Sequence, residues 1–162
     1  MKSSMNKILR LLLLTLFIST STGLLAQEKS FEKYADMKDV TYVFISKTML
    51  SLAGVKASPK VPGMKMDGIM NKLTGIQIIT TDNRSMRKKL KTDVKSVIAN
   101  DDFETLMAID DEDGAKINIY LNDGKKKSII IMVTDSDDQV SVIVFSGTFT
   151  AKDIEKLTEK NS

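Results

Sequence analysis

The sequence predicts an α+β domain: one mainly antiparallel sheet, the element order β-α-β-α-β-β-β-β-α, and helices on one face. Three observations carry that expectation. Met86, Leu90, Val94, Val97 and Ile98 fall on one stripe of a 3.6-residue period, the mark of an amphipathic helix. The second half of the chain is a series of strand-length apolar runs. Asp113-Gly114 and Asp123-Gly124 separate those runs, and Asp-Gly suits hairpin turns because glycine accepts positive φ.

Each element has its own warrant. Val40–Ile45 is β-branched and aromatic and reads as the first strand. Ser46–Ala53 follows as a helix stopped by Gly54. Residues 55–68 hold both prolines and two glycines and read as a flexible connection, followed by a short helix near Ile69–Leu73. Gly75–Thr81 is the second strand. The long helix over 84–99 takes Asp82 or Asn83 as its cap. Strands follow at Phe103–Ile109, Lys116–Leu121, Ser128–Thr134 and Val140–Phe149. Ile117, Ile119 and Leu121 alternate with Lys116, Asn118 and Tyr120, which gives that strand one wet face, whereas Ser128–Val133 is apolar throughout and belongs in the centre of a sheet. A last helix opens at Thr150–Asp153 in the manner of a capping box and buries Ile154 and Leu157.

The first 26 residues have a different character. Lys2, Lys7 and Arg10 precede an apolar core from Ile8 to Ile18, and small or polar residues lead to Leu24-Leu25-Ala26. That order is a secretory signal peptide cleaved after Ala26. A membrane anchor needs about 20 apolar residues, and Ser19-Thr20-Ser21-Thr22 interrupts the run too early. Cleavage removes three basic residues and no acidic ones, so the net charge of +3 vanishes and leaves no basic surplus to argue for nucleic acid or an anionic membrane. The remaining 136 residues suit one domain over 40–160, preceded by a polar arm at 27–39 that reads as a loose segment or a frayed helix. With no cysteine there are no disulfides and no acylated lipoprotein anchor, and no later segment is long enough to span a membrane. The expected product is a soluble periplasmic or secreted protein.

Three segments, YVFISKTML, FETLMAIDDEDGAKINIYL and VSVIVFSGTFTAKDIEKL, resemble the domain-of-unknown-function 4252 family of exported Bacteroidota proteins. The similarity spans roughly residues 30–160. It implies an exported α+β domain with no established activity. Some members are lipoproteins, from which this chain departs by lacking cysteine. Family genes near extracytoplasmic sigma factors imply a part in envelope signalling.

Histidine, cysteine and tryptophan are absent, which removes Ser-His-Asp and Cys-His catalysis, histidine general bases and ordinary zinc sites. Ser46, at a strand-to-helix junction, has the position of a nucleophile but neither a base nor flanking glycines, so it reads as a helix cap. Ser85 and Lys88 match S-x-x-K, yet they point away from the apolar stripe, and neither S-D-N nor K-T-G occurs. Two metal readings remain. An up-down meander brings Asp110, Asp111, Glu112 and Asp113 to the same end as Asp135, Asp137 and Asp138, which suits a hard cation such as Ca²⁺. Lys125, Lys126 and Lys127 fall at the opposite end. Met64, Met66 and Met70 form a thioether loop of the kind that takes Cu(I), although methionine is also a common core filler. The leading expectation is a non-enzymatic interaction or envelope-signalling module without a cofactor. It would meet an envelope protein partner through its exposed sheet face or the 55–68 loop, with metal binding as the alternative.

Overall fold

The computed structural model describes residues 29–53, 68–124 and 127–158. The leader at 1–26 and the pair Met64 and Met66 lie outside the described residues, as does the side chain of Leu157. The strands are β1 (Thr41–Ser46), β2 (Leu73–Thr81), β3 (Glu104–Asp110), β4 (Lys116–Asp123), β5 (Ser128–Asp135) and β6 (Val140–Gly147). The helices are α1 (Lys47–Ala53), α2 (Arg84–Asn100) and α3 (Ala151–Thr158). Short 3₁₀ turns occupy Glu32–Asp36 and Met70–Lys72. The element order is the one expected, and the sheet is antiparallel throughout, in the order β1-β2-β6-β5-β4-β3.

That order follows from the connections. β3 to β6 form a meander, while β1 and β2 pair from Thr41↔Thr80 to Ser46↔Gly75 and join the meander through β6. β2 and β3 are consecutive in sequence yet four strand spacings apart, roughly 19 Å. The 17 residues of α2 extend about 25 Å, enough to carry the chain across the sheet. Asn83 starts this helix, its Oδ1 accepting from the Ser85 and Met86 amides at 2.9 and 3.1 Å. Leu90 and Val94 on the stripe are buried, and Met86, Val97 and Ile98 are half-buried. The Asp111–Gly114 turn closes through the Gly114 amide on the Asp111 carbonyl at 2.9 Å, with Gly114 at φ 83°.

The helices are divided between the two faces rather than gathered on one. α2 and the 32–36 turn cover Ile79, Ile129, Ile131, Val133, Val140, Val142 and Val144. Leu50 of α1, Met70 and Ile154 of α3 cover the opposite face over Ile76, Ile119, Ile130, Met132 and Phe145. The cause lies in β5 and β6, whose apolar residues point both ways and need cover on both sides. The wet face suggested by Lys116, Asn118 and Tyr120 belongs to β4, further out in the sheet.

The polar arm is neither loose nor frayed: Glu32–Asp36 forms a 3₁₀ turn packed on the core. Phe31 and Tyr34 are 0% exposed and belong to the core. On a 3₁₀ turn, residues three apart eclipse, so both rings project to the same side, and the Tyr34 amide donates to the Phe31 carbonyl at 3.1 Å. A polar composition hid an apolar pair at the spacing that matters.

Candidate functional site

Among the described residues, the exposed large apolar side chains are concentrated at one edge of the sheet. β1 pairs with β2 alone among the described strands, so its outer row of amides and carbonyls has no strand beside it. Its sequence, TYVFIS, carries no charge. Val43 is 41% exposed and Phe44 54%, on opposite faces of the strand. α1 follows directly and packs on β1 and β2 through Leu50, leaving Met49 and Leu52 outward at 55% and 77% exposure. Edge strands are ordinarily blunted by charge, proline or a bulge, because an open row of hydrogen-bonding groups recruits other strands. β1 has none of these.

Ser46 sits at the junction of this strand and helix. Its Oγ accepts the Met49 amide at 3.4 Å, the bond of an N-cap to the third residue of a helix. No base approaches it among the described residues. It is a cap.

The acidic turns meet a cationic helix. The 111–115 and 136–139 turns lie at the same end of the sheet, as the meander requires, and border a cleft of about 300 Å³ lined by Arg84, Arg87, Lys88, Lys91 and Lys116. Lys91 Nζ lies 2.8 Å from Asp135 Oδ2, and Lys116 Nζ lies 3.6 Å from Asp110 Oδ1. Arg87 Nη1 donates to the Ser136 and Asp137 carbonyls, while its Nε is buried without a hydrogen-bond partner among the described residues. Asp111, Glu112, Asp113, Asp137 and Asp138 remain exposed on the turns. Among the described residues, no three carboxylates close on a common point able to hold a metal ion. Met70 of the expected copper loop is 6% exposed and packs in the core.

The strongest polar cluster ties the chain start to α2. Tyr34 Oη donates to Asp93 Oδ2 at 2.7 Å, Lys33 and Lys89 approach the same oxygen at 2.7 and 2.9 Å, and both ammonium groups lie over the Tyr34 ring. Burial alone would raise the Asp93 pKa, but the hydrogen bonds from Lys33, Lys89 and Tyr34 outweigh it and hold the carboxyl down at about 2. Burial, followed by the bond to Asp93 and its charge, pushes the Tyr34 phenol well above its ordinary range. Every group in the cluster is satisfied by another, which is the chemistry of a clamp. On the opposite face, the Lys72 ammonium and then the Thr150 amide and hydroxyl hold the Asp153 carboxyl down at about 2, so the carboxylate half of the expected capping box is present.

The family model described as "Domain of unknown function (DUF4252)" matches residues 34–157. The chain belongs to that family. The matched span takes in β1, all the remaining strands and the Tyr34 end of the clamp, so the free edge lies within the DUF4252 domain. Among solved structures, the crystal structure of PA94, a Pseudomonas aeruginosa protein of unknown function described as a candidate regulator, is similar at 8% identity. The match covers 75% of this chain and 76% of that one with a TM-score of 0.37, too loose a likeness to bear on function. No curated protein matches. Within the described residues of the DUF4252 domain, no helix is long and apolar enough to cross a membrane.

Sequence reasoning did not find the β1 edge or the clamp. Edge position depends on strand order, which alternation within one strand does not encode. The clamp had a partial signal in the Lys89–Asp93 spacing of i, i+4, but its Tyr34 member lay in a segment read as a loose arm or a frayed helix.

Proposed function

We propose that this domain is an exported, non-catalytic interaction module of the periplasm or extracellular space. It engages a protein partner of the envelope, in keeping with a signalling role, through β1 and α1. The observation that carries this reading is the uncharged, regular edge strand with Val43, Phe44, Met49 and Leu52 exposed beside it. An extended segment added to such an edge gains backbone hydrogen bonds along its length and side-chain contacts at alternate positions. The absence of histidine and cysteine supports a role in binding rather than turnover, and the basic, apolar and small-residue order of residues 1–26 supports export.

The test is recovery of partners from the envelope fraction with the tagged mature chain, residues 27–162, beside a Val43→Lys variant. The expected result is loss of recovered partners with Val43→Lys at an unchanged melting temperature. Equal recovery with both proteins overturns the assignment of the surface. A mature protein retained in the cytoplasm, or turnover of a small substrate, overturns the module itself.

A further inference from the structure

Resting on the reading of β1 as the interaction edge, we infer that its partner is β1 of a second copy, paired antiparallel about a twofold axis through Val43. An isologous pair uses one patch twice, so the patch must complement itself. β1 meets that condition in one register.

A twofold axis perpendicular to the sheet leaves every side chain on its own face. Opposed residues must therefore share parity, which forbids the obvious centre between Val43 and Phe44. Centred on Val43, the pairs are Val43↔Val43, Tyr42↔Phe44 twice and Thr41↔Ile45 twice. Tyr42 and Phe44 lie on the same face of the strand, so the axis creates two cross-strand aromatic pairs, a favoured combination. Beyond the strand, the same centre brings the turn at Asp39, which enters β1 of each copy, near the start of α1 at Lys47 of the other. Centred on Phe44 instead, the two chains slide by two residues, which draws Asp39 of each copy away from Lys47 of the other and weakens the charge match.

Both charges are available. Lys47 is exposed and has no ion-pair partner among the described residues. Asp39 is exposed, and among the described residues its carboxylate accepts only the neutral Asn83 amide, at 3.3 Å. The backbone at Asp39 is fixed for presentation: its φ is 61°, and its carbonyl accepts Thr81 Oγ1 at 2.6 Å, which pins the start of β1 to the end of β2. The product is one continuous sheet across two domains, with the β1 edges closed and β3 as the outer strand on each side.

The chain has no cysteine, so a single introduced thiol reports the register without interference. In the register proposed, the two Val43 Cα atoms lie about 4.5–5.5 Å apart, within disulfide reach of roughly 4.4–6.8 Å. The two Thr41 Cα atoms lie roughly 14 Å apart, out of reach. The experiment takes the mature chain, residues 27–162, measures its mass by sedimentation over a concentration series, and oxidises the single variants Val43→Cys, Thr41→Cys and Phe44→Cys with glutathione disulfide. The expected result is a dimer bridged at Val43→Cys and not at Thr41→Cys or Phe44→Cys. Lys47→Glu weakens the dimer roughly tenfold by setting like charges opposite one another. Faster bridging at Thr41→Cys or Phe44→Cys overturns the register. A monomer at every concentration overturns self-pairing, whether residues 54–67 of the same chain or a different protein cover the edge. If that monomer still loses envelope partners on Val43→Lys, the module reading stands while self-pairing falls.

Discussion

β1 and β3 are the two outer strands of one sheet, and they are finished in different ways. β3 begins at Glu104 and ends at Asp110, its register shifts between Thr105 and Met107, and Lys116 reaches Asp110 from the neighbouring strand. Charge and a bulge together make a poor template for another strand. β1 keeps regular pairing over all of Thr41–Ser46, carries no charge, and shows Val43 and Phe44 to solvent. The same chain therefore has the means to protect an edge and applies them on one side. The difference is what the proposed use of β1 as an interaction edge requires.

The contrast holds only if β1 is a firm strand and not a frayed end. Its support is the turn at Glu32–Asp36, which packs on β1 and fixes Tyr34 against α2. Tyr34→Ala removes a 0% exposed ring and the phenol bonded to Asp93, and it should cost about 3 kcal/mol in urea unfolding. Hydrogen exchange should rise in β1 ahead of β3 and β4. A loss below about 1 kcal/mol, or wild-type β1 amides that exchange as fast as a chain terminus, would break the comparison.

Asp93→Asn is the milder test of the same support. It keeps the shape but removes the charge that Lys33, Lys89 and Tyr34 share, and it should cost about 2 kcal/mol at neutral pH. The sign of the pH dependence follows from the depressed carboxyl. An aspartate in the unfolded chain has a pKa of about 3.9, whereas the bonds from Lys33, Lys89 and Tyr34 hold Asp93 down at about 2 in the folded one. The stabilisation is full above about pH 4 and is lost as pH falls towards 2, so the deficit of the variant should shrink across that window. Asp153 is depressed similarly and contributes to acid sensitivity in both proteins, so the difference between them isolates Asp93. A deficit that stays constant from neutral pH to pH 2 would show that Asp93 acts through packing alone.

Much of this architecture was legible in local pattern. The stripe from Met86 to Ile98, the Asp113-Gly114 turn and the apolar run at Ser128–Val133 each encode their own element, and each occurs where the pattern set it. The capping role of Ser46 followed from the absence of any base. What escaped was relational. Strand order depends on how far α2 carries the chain, and the distribution of helices depends on both faces of β5 and β6 requiring cover. The acidic turns were correctly brought to one end, but their nearest partners are Lys91, Arg87 and Lys116, contributed by α2 and β4. An aspartate tally along the chain does not reveal which cations fold over it.

The smallest expected effect tests the protected side. In a Glu104→Thr/Asp110→Thr double variant both charges leave β3 while its bulge remains. Glu104 is exposed, and the Asp110–Lys116 pair is 3.6 Å apart with side chains 81% and 65% exposed, so it contributes little to folding. Unfolding free energy should stay within about 0.5 kcal/mol of wild type. Association should change instead, because threonine is a good strand residue and the edge has lost its repulsion. Light scattering at high concentration should show species larger than those of wild type, and adding Val43→Lys should reduce them by closing the opposite edge. If the double variant scatters like wild type, the bulge between Thr105 and Met107 is a sufficient guard without the charges. The contrast with β1 would then rest on the regularity of its pairing rather than on its lack of charge.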